Sequence, residues 1–269
     1  MTTLFPFRPT TWLVAAAFAA AAGIVPARAE DAAKPNPPCA VPSELSRITT
    51  PLPRTAKRIA TGEPLTIVAI GSSSTAGAGA SSPAASYPSR LAVELSAAFP
   101  RQKINVINRG VNGEDAREML ARFDDNVIAE KPDLVLWQVG TNSVLRDQPL
   151  QPAGSLIHEG LARLKAIGAD VILIDPQFAP KVLAKADVDE LVDLLATAAK
   201  KDNVSLFRRF AVMRHWRQVA RIPYETFLSS DELHMNDWSY ACMAKIMAGS
   251  IAEAATRGTL TAQAGGSAR

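Results

Sequence analysis

The stretch Leu65-Thr66-Ile67-Val68-Ala69-Ile70-Gly71-Ser72-Ser73-Ser74-Thr75-Ala76-Gly77 begins as an aliphatic, β-branched run and ends as a turn of glycine and serine. A near-continuous apolar run that stops at small residues is the pattern of a strand buried on both faces, as in a parallel sheet covered by helices. Similar runs follow at 104–107, 134–139, 171–174 and 204–207. The intervening periodicity predicts helices over 87–99, 115–129, 153–167 and 186–200, and a last one from Asp237 to about Thr256. Strands alternating with helices imply an α/β doubly wound sandwich. In such sheets ligands bind outside the carboxyl ends of the strands, so chemistry is expected there.

The flanks of this region have a different composition. Arg8 precedes an apolar stretch from Trp12 to Val25 that closes on Pro26-Ala27-Arg28-Ala29, the small-residue pattern of a secretory signal peptide spanning 1–29. That stretch is shorter than the roughly 20 residues of a bilayer span, so no stable span is expected after cleavage. Residues 30–63 are rich in Pro and Ala and read as an arm laid over the domain. The domain itself is expected over 64–257 and a flexible tail over 258–269, which lacks an apolar period.

Charge excludes some functions. The chain has 29 Lys and Arg against 26 Asp and Glu, and the first 29 residues hold Arg8 and Arg28 but no acid. The remainder is close to neutral, with no nucleic-acid footprint. Cys39 and Cys242 are the only cysteines, and an oxidising compartment permits them to pair. The alternative is a buried Cys242 and an idle Cys39.

The turn after the first strand has two sharp readings, a phosphate cradle and a nucleophile turn. A P-loop places Lys and then Ser or Thr after its last Gly, whereas Ala78 follows Gly77, and a dinucleotide fingerprint needs a third Gly where Ser82 stands. A flexible linker fits poorly directly after a buried strand. A nucleophilic serine needs a base, and the chain has three histidines, His158, His215 and His234. His158 lies in a helical pattern, and His215 sits among arginines that lower its basicity. His234 follows Asp231 by three residues, a spacing at which a carboxylate can orient an imidazole. Asp and neutral His are also metal ligands, although no second His cluster completes such a site. Donors for an oxyanion are available at neighbouring strand ends, as the backbone N–H of Gly113 and the side-chain amide of Asn142.

Taken in chain order, Gly71-Ser72-Ser73 with Gly77, Gly113, Gly140-Thr141-Asn142 and Asp231-Glu232-Leu233-His234 resemble the four blocks of the SGNH/GDSL hydrolase superfamily. The resemblance implies a three-layer α/β/α sandwich with a five-stranded parallel, flavodoxin-like sheet. It also implies a serine esterase with Ser73 as nucleophile, His234 as base, Asp231 as its orienting acid, and Ser73, Gly113 and Asn142 as the oxyanion hole. Neither a metal nor another cofactor is required by that chemistry. Two residues depart from the family pattern, Ser72 and Ser143, each standing where Asp is usual. The expected substrate is a small ester or an acylated glycan with a short acyl group, and the expected location is periplasmic or secreted. A glycan-binding or envelope protein on the same scaffold, with these residues idle, is the reading from a different functional class.

Overall fold

The computed structural model describes residues 1–3 and 38–266, with side chains as far as 257. All but the first three residues of the expected signal peptide, and the start of the arm, lie outside the described residues. Chain contacts divide at residue 35, and the sheet lies wholly in the unit from Asn36 onward.

Five parallel strands, β1 (Leu65–Gly71), β2 (Ile104–Gly110), β3 (Leu134–Gln138), β4 (Asp170–Ile174) and β5 (Ser205–Phe207), form one sheet in the order β2-β1-β3-β4-β5. Ile67, Val68, Ala69 and Ile70 of β1 and Leu134, Val135, Leu136 and Trp137 of β3 are fully buried, which is why their sequence is apolar without alternation. Edge strand β2 is only half-buried and runs to Gly110, three residues beyond its apolar core.

The helices that cover the sheet or shape the site are α1 (Pro53–Thr61), α2 (Ser73–Ala76), α3 (Tyr87–Ala98), α4 (Ala116–Ala121), α5 (Thr141–Leu145), α6 (Leu150–Ala166), α7 (Val188–Lys201), α8 (Arg209–Gln218) and α9 (Asp237–Gly266). One layer packs α1 and α3 against α9, and the other packs α6 against α4 and α7, giving the three-layer sandwich. In α7 the buried residues are Val188, Leu191, Leu195, Ala198 and Ala199, spaced three or four apart as on a helix with one face on a core. Beyond the expected boundary at 257, α9 continues to Gly266.

The arm contains a helix that its proline content concealed. Pro53 occupies the first turn of α1, where its missing N–H costs nothing. The free N–H groups of Arg54 and Thr55 donate to the Asp170 carboxylate at 3.3 and 2.7 Å, and Ile48 and Leu52 are buried beneath. Cys39 and Cys242 form a disulfide, with Cα atoms 5.2 Å apart, that ties the arm to α9. Bridging residues 203 apart in sequence removes much of the unfolded chain's freedom, an effect of roughly 2–5 kcal/mol. Reduction is therefore expected to lower the melting temperature by about 5–15 °C, measurable by calorimetry with and without a thiol reductant. An unchanged melting temperature would mean that the bridge carries no such constraint.

The segment 115–129, expected as one helix, is broken. Asp115 and Glu118 cap α4 reciprocally, Asp115 accepting from the Arg117 and Glu118 N–H groups and Glu118 accepting from the Asp115 N–H at 2.8 Å. The helix then stops at Arg122, and short turns at Phe123–Asn126 and Ile128–Glu130 complete the segment. Arg122 pairs with Glu114 and donates to the Arg109 carbonyl at 2.8 Å, so its side chain serves the strand ends.

Candidate active site

The chain leaves β1 and β3 in opposite directions across the sheet, so the crevice between their carboxyl ends is the topological switch point. Gln138, fully buried at the end of β3, bridges it. Its Oε1 accepts from the Ser72 N–H at 2.9 Å, the Ser72 hydroxyl at 3.0 Å and the Thr75 hydroxyl at 3.2 Å. These bonds fix the start of α2 against β3.

Ser72 is the cap residue of α2 and Ser73 its first helical residue, where N–H groups have no intrahelical carbonyl to meet. The three adjacent serines differ in where each side chain points. Ser72 and Ser74 are buried, Ser72 being engaged with Gln138. Ser73 alone of the three faces His234, with Oγ and Nε2 2.7 Å apart. His234 Nδ1 lies 2.5 Å from Asp231 Oδ2, completing a hydrogen-bonded chain across 161 residues of sequence.

The segment bearing His234 is shaped by Asp231. Its Oδ1 accepts from the Ser229 hydroxyl at 2.7 Å and from the N–H groups of Leu233 and His234 at 3.0 and 2.9 Å. Burial alone pushes this carboxyl upward, but the His234 ring, the two N–H groups and the Ser229 hydroxyl outweigh it and hold Asp231 well below the usual carboxylate range. Asp231 is thus charged at neutral pH. Gly79 passes so close to the Met235 carbonyl and the His234 Cβ that a side chain there would collide with both, and its φ of +85° also suits glycine. Ser81 clamps the same loop to α9 through the Asp237 carboxylate, at 2.7 Å from N–H and 2.5 Å from Oγ.

The other two predicted residues also lie at this edge of the sheet. Gly113 has φ +83° in the loop after β2, and that loop is laced to β1 by the Val111 N–H donating to the Gly71 carbonyl at 3.0 Å. Asn142 lies in α5, directly after β3, and one of its two amide N–H bonds is given to the Glu114 carbonyl at 2.8 Å. That bond brings the turn after β3 to the residue next to Gly113. Arg146 donates to the Gly113 carbonyl at 2.7 Å, and Glu114 is paired with Arg122 at 2.6 Å, so both halves of this corner are held by guanidinium groups.

The remaining histidines are elsewhere. His158 pairs with Asp202 between α6 and the end of α7, and His215 lies on α8. Trp216 and Phe227, on the segment before Asp231, are turned into the core, where Trp216 packs edge-on against Trp238 with ring centres 5.1 Å apart. Among the described residues no group of three or more His, Cys, Asp or Glu is arranged to hold a metal ion.

Sequence reasoning missed Gln138, Arg122 and the buried Gln177, whose amide accepts from the Thr141 hydroxyl and donates to the Leu233 carbonyl. Gln138 had a visible signal, as an amide inside an otherwise apolar strand. Gln177 had none, because its partners are more than thirty residues away, and Arg122 had none, because nothing in its local sequence sets it apart from an ordinary helical arginine.

Residues 38–257 match the model of a non-GDSL lipase-like family, a description that suits a first block reading Gly71-Ser72-Ser73-Ser74. The chain is similar to an acetylxylan esterase of Geobacillus stearothermophilus, 41% identical over 56 residues, which are 21% of this chain and 26% of that protein. It is also similar to an arylesterase of Vibrio mimicus, 28% identical over 109 residues, 40% of this chain and 54% of the relative. These alignments span about half or less of the relatives' lengths. Among solved structures, a two-domain esterase active on acetylated mannans superposes with a TM-score of 0.68 at 21% identity, covering 81% of this chain and 57% of that one. The acetylxylan esterase from Geobacillus stearothermophilus gives a TM-score of 0.58 at 20% identity, covering 70% of this chain and 94% of that one. At these identities the likeness speaks for the fold.

Proposed function

The chain belongs to the non-GDSL lipase-like family of SGNH/GDSL-like hydrolases, and from that premise we propose that it is an exported serine esterase acting on short acyl esters, O-acetylated glycans foremost. The observation that carries this reading is the continuous hydrogen-bonded chain from Ser73 Oγ through His234 to Asp231. In the proposed reaction Ser73 Oγ attacks the ester carbonyl as His234 Nε2 takes its proton, while the Nδ1–H stays on Asp231. The developing oxyanion meets the N–H groups of Ser73 and Gly113 and the second amide N–H of Asn142. Collapse breaks the bond to the alcohol, which leaves with the proton from His234. Water then attacks the acyl-serine by the same route in reverse, releasing the acid and restoring Ser73.

The glycan preference is supported by the names of the relatives, which act on acetylated xylan and acetylated mannans. Export is supported by the signal-like sequence of 1–29 and by a disulfide that persists in oxidising compartments. No helix among the described residues is long and apolar enough to cross a membrane.

The decisive experiment is turnover of p-nitrophenyl acetate, butyrate and octanoate by the mature protein, with and without a chelator. Chelator-indifferent turnover that falls with chain length is expected. A folded protein that neither turns over any ester nor reacts with a fluorophosphonate probe would sink the enzymatic reading and leave a glycan-binding module.

A further inference from the structure

We propose that Gln177 is a positioning residue that locks the His234 segment to the turn carrying Asn142, with its orientation dictated by the buried Arg209; the inference rests on the esterase reading above. Gln177 lies just past the end of β4 and is 1% exposed. Its Oε1 accepts from Arg209 Nη2 at 3.0 Å and from the Thr141 hydroxyl at 3.1 Å, while its Nε2 donates to the Leu233 carbonyl at 3.2 Å. Thr141 directly precedes Asn142, and Leu233 directly precedes His234. A single amide therefore touches the neighbour of the proposed base and the neighbour of a proposed oxyanion donor.

The amide has one workable orientation. A guanidinium only donates, so the oxygen of Gln177 must face Arg209, leaving the NH2 for the Leu233 carbonyl. Arg209 is itself immobilised, being 1% exposed with its Nε donating to the Asp175 carbonyl at 2.9 Å. Burying a cation here is costly, and its contacts go to strand-end groups that brace the site. The Leu233 peptide is consequently held from both sides, its N–H by Asp231 and its carbonyl by Gln177. Such double restraint matters because a displacement of about 1 Å at reacting groups costs on the order of 10²-fold in rate.

The test is Gln177→Glu, with Gln177→Met as the second variant. The glutamate keeps the shape and the bond to Arg209, but it points an oxygen at the Leu233 carbonyl in place of a donor. The methionine removes donor and acceptor together. Both are assayed for kcat and KM on p-nitrophenyl acetate, for rate of labelling by a fluorophosphonate, and for melting temperature. The expected result is a fall in kcat and in labelling rate of about 10–100-fold, with KM within about twofold. The glutamate variant is expected to melt near the wild-type temperature, which separates positioning from general destabilisation. A glutamate variant with kcat within twofold of wild type would overturn the assignment while leaving the esterase reading intact. A wild-type protein without turnover or labelling would overturn both.

Discussion

Replacing Ser73 by alanine is expected to lower kcat for ester hydrolysis by about 10⁴-fold or more, with the melting temperature unchanged. The size of the effect follows from what remains once the oxygen is gone. His234 keeps its bond to Asp231 and the oxyanion donors keep their places, yet no atom is left to form the acyl-enzyme. The adjacent serines offer no rescue. Ser72 is buried with its hydroxyl committed to Gln138, and Ser74 is 1% exposed, so neither oxygen faces the imidazole. Stability should hold because the Ser73 hydroxyl reaches His234 at the open edge of the sheet and packs into no core. The check is turnover of p-nitrophenyl acetate by the variant, with unfolding followed by circular dichroism. Residual activity above about one per cent would place the nucleophile elsewhere.

The sequence made the sheet legible because burial on both faces leaves a strong mark. Each of β1, β3, β4 and β5 coincides with an apolar run, and the helix of 188–201 follows from its 3.6-residue stripe. Two features were hidden for physical reasons. The helix of 53–61 sits in a proline-rich segment, but its proline falls at the one position where proline starts a helix, and its cap is Asp170, more than a hundred residues away. The break at Arg122 was invisible because local propensity favours helix there, whereas Glu114 and the strand-end carbonyls claim the guanidinium. The same division runs through the site. Ser73, Asp231 and His234 are legible because the proposed chemistry calls for particular residue types, a serine on the turn after a buried strand and a carboxylate three residues from a histidine. Gln138 and Gln177 make contacts whose partners only folding brings near, and Arg122 is drawn out of a helical pattern toward Glu114 and the Arg109 carbonyl. Of the three serines, spacing from Gly71 and Gly77 picks Ser73, whose Oγ lies 2.7 Å from His234 Nε2.

Changing Asp231 to asparagine is expected to lower kcat by about 10⁴-fold, nearly as much as loss of the nucleophile, although the side chain barely changes shape. The reason lies in the unequal surroundings of its two oxygens. Oδ1 accepts from three donors, the Ser229 hydroxyl and the Leu233 and His234 N–H groups, whereas Oδ2 faces the ring of His234. An asparagine must put its single oxygen where the three donors converge, because an NH2 there would face two N–H groups. Its NH2 then points at His234 Nδ1, which becomes an acceptor. The imidazole proton is forced onto Nε2, the nitrogen that must take the proton of Ser73, and general-base catalysis is lost through the wrong tautomer. KM should change little, since substrate contacts are untouched. The measurement is kcat and KM on p-nitrophenyl acetate for Asp231→Asn beside Asp231→Ala. In the alanine variant the tautomer is not imposed, so it should retain more activity than the asparagine despite losing more hydrogen bonds. Equal or greater activity in the asparagine variant would show that Asp231 acts by shaping the loop and not by setting the proton on His234.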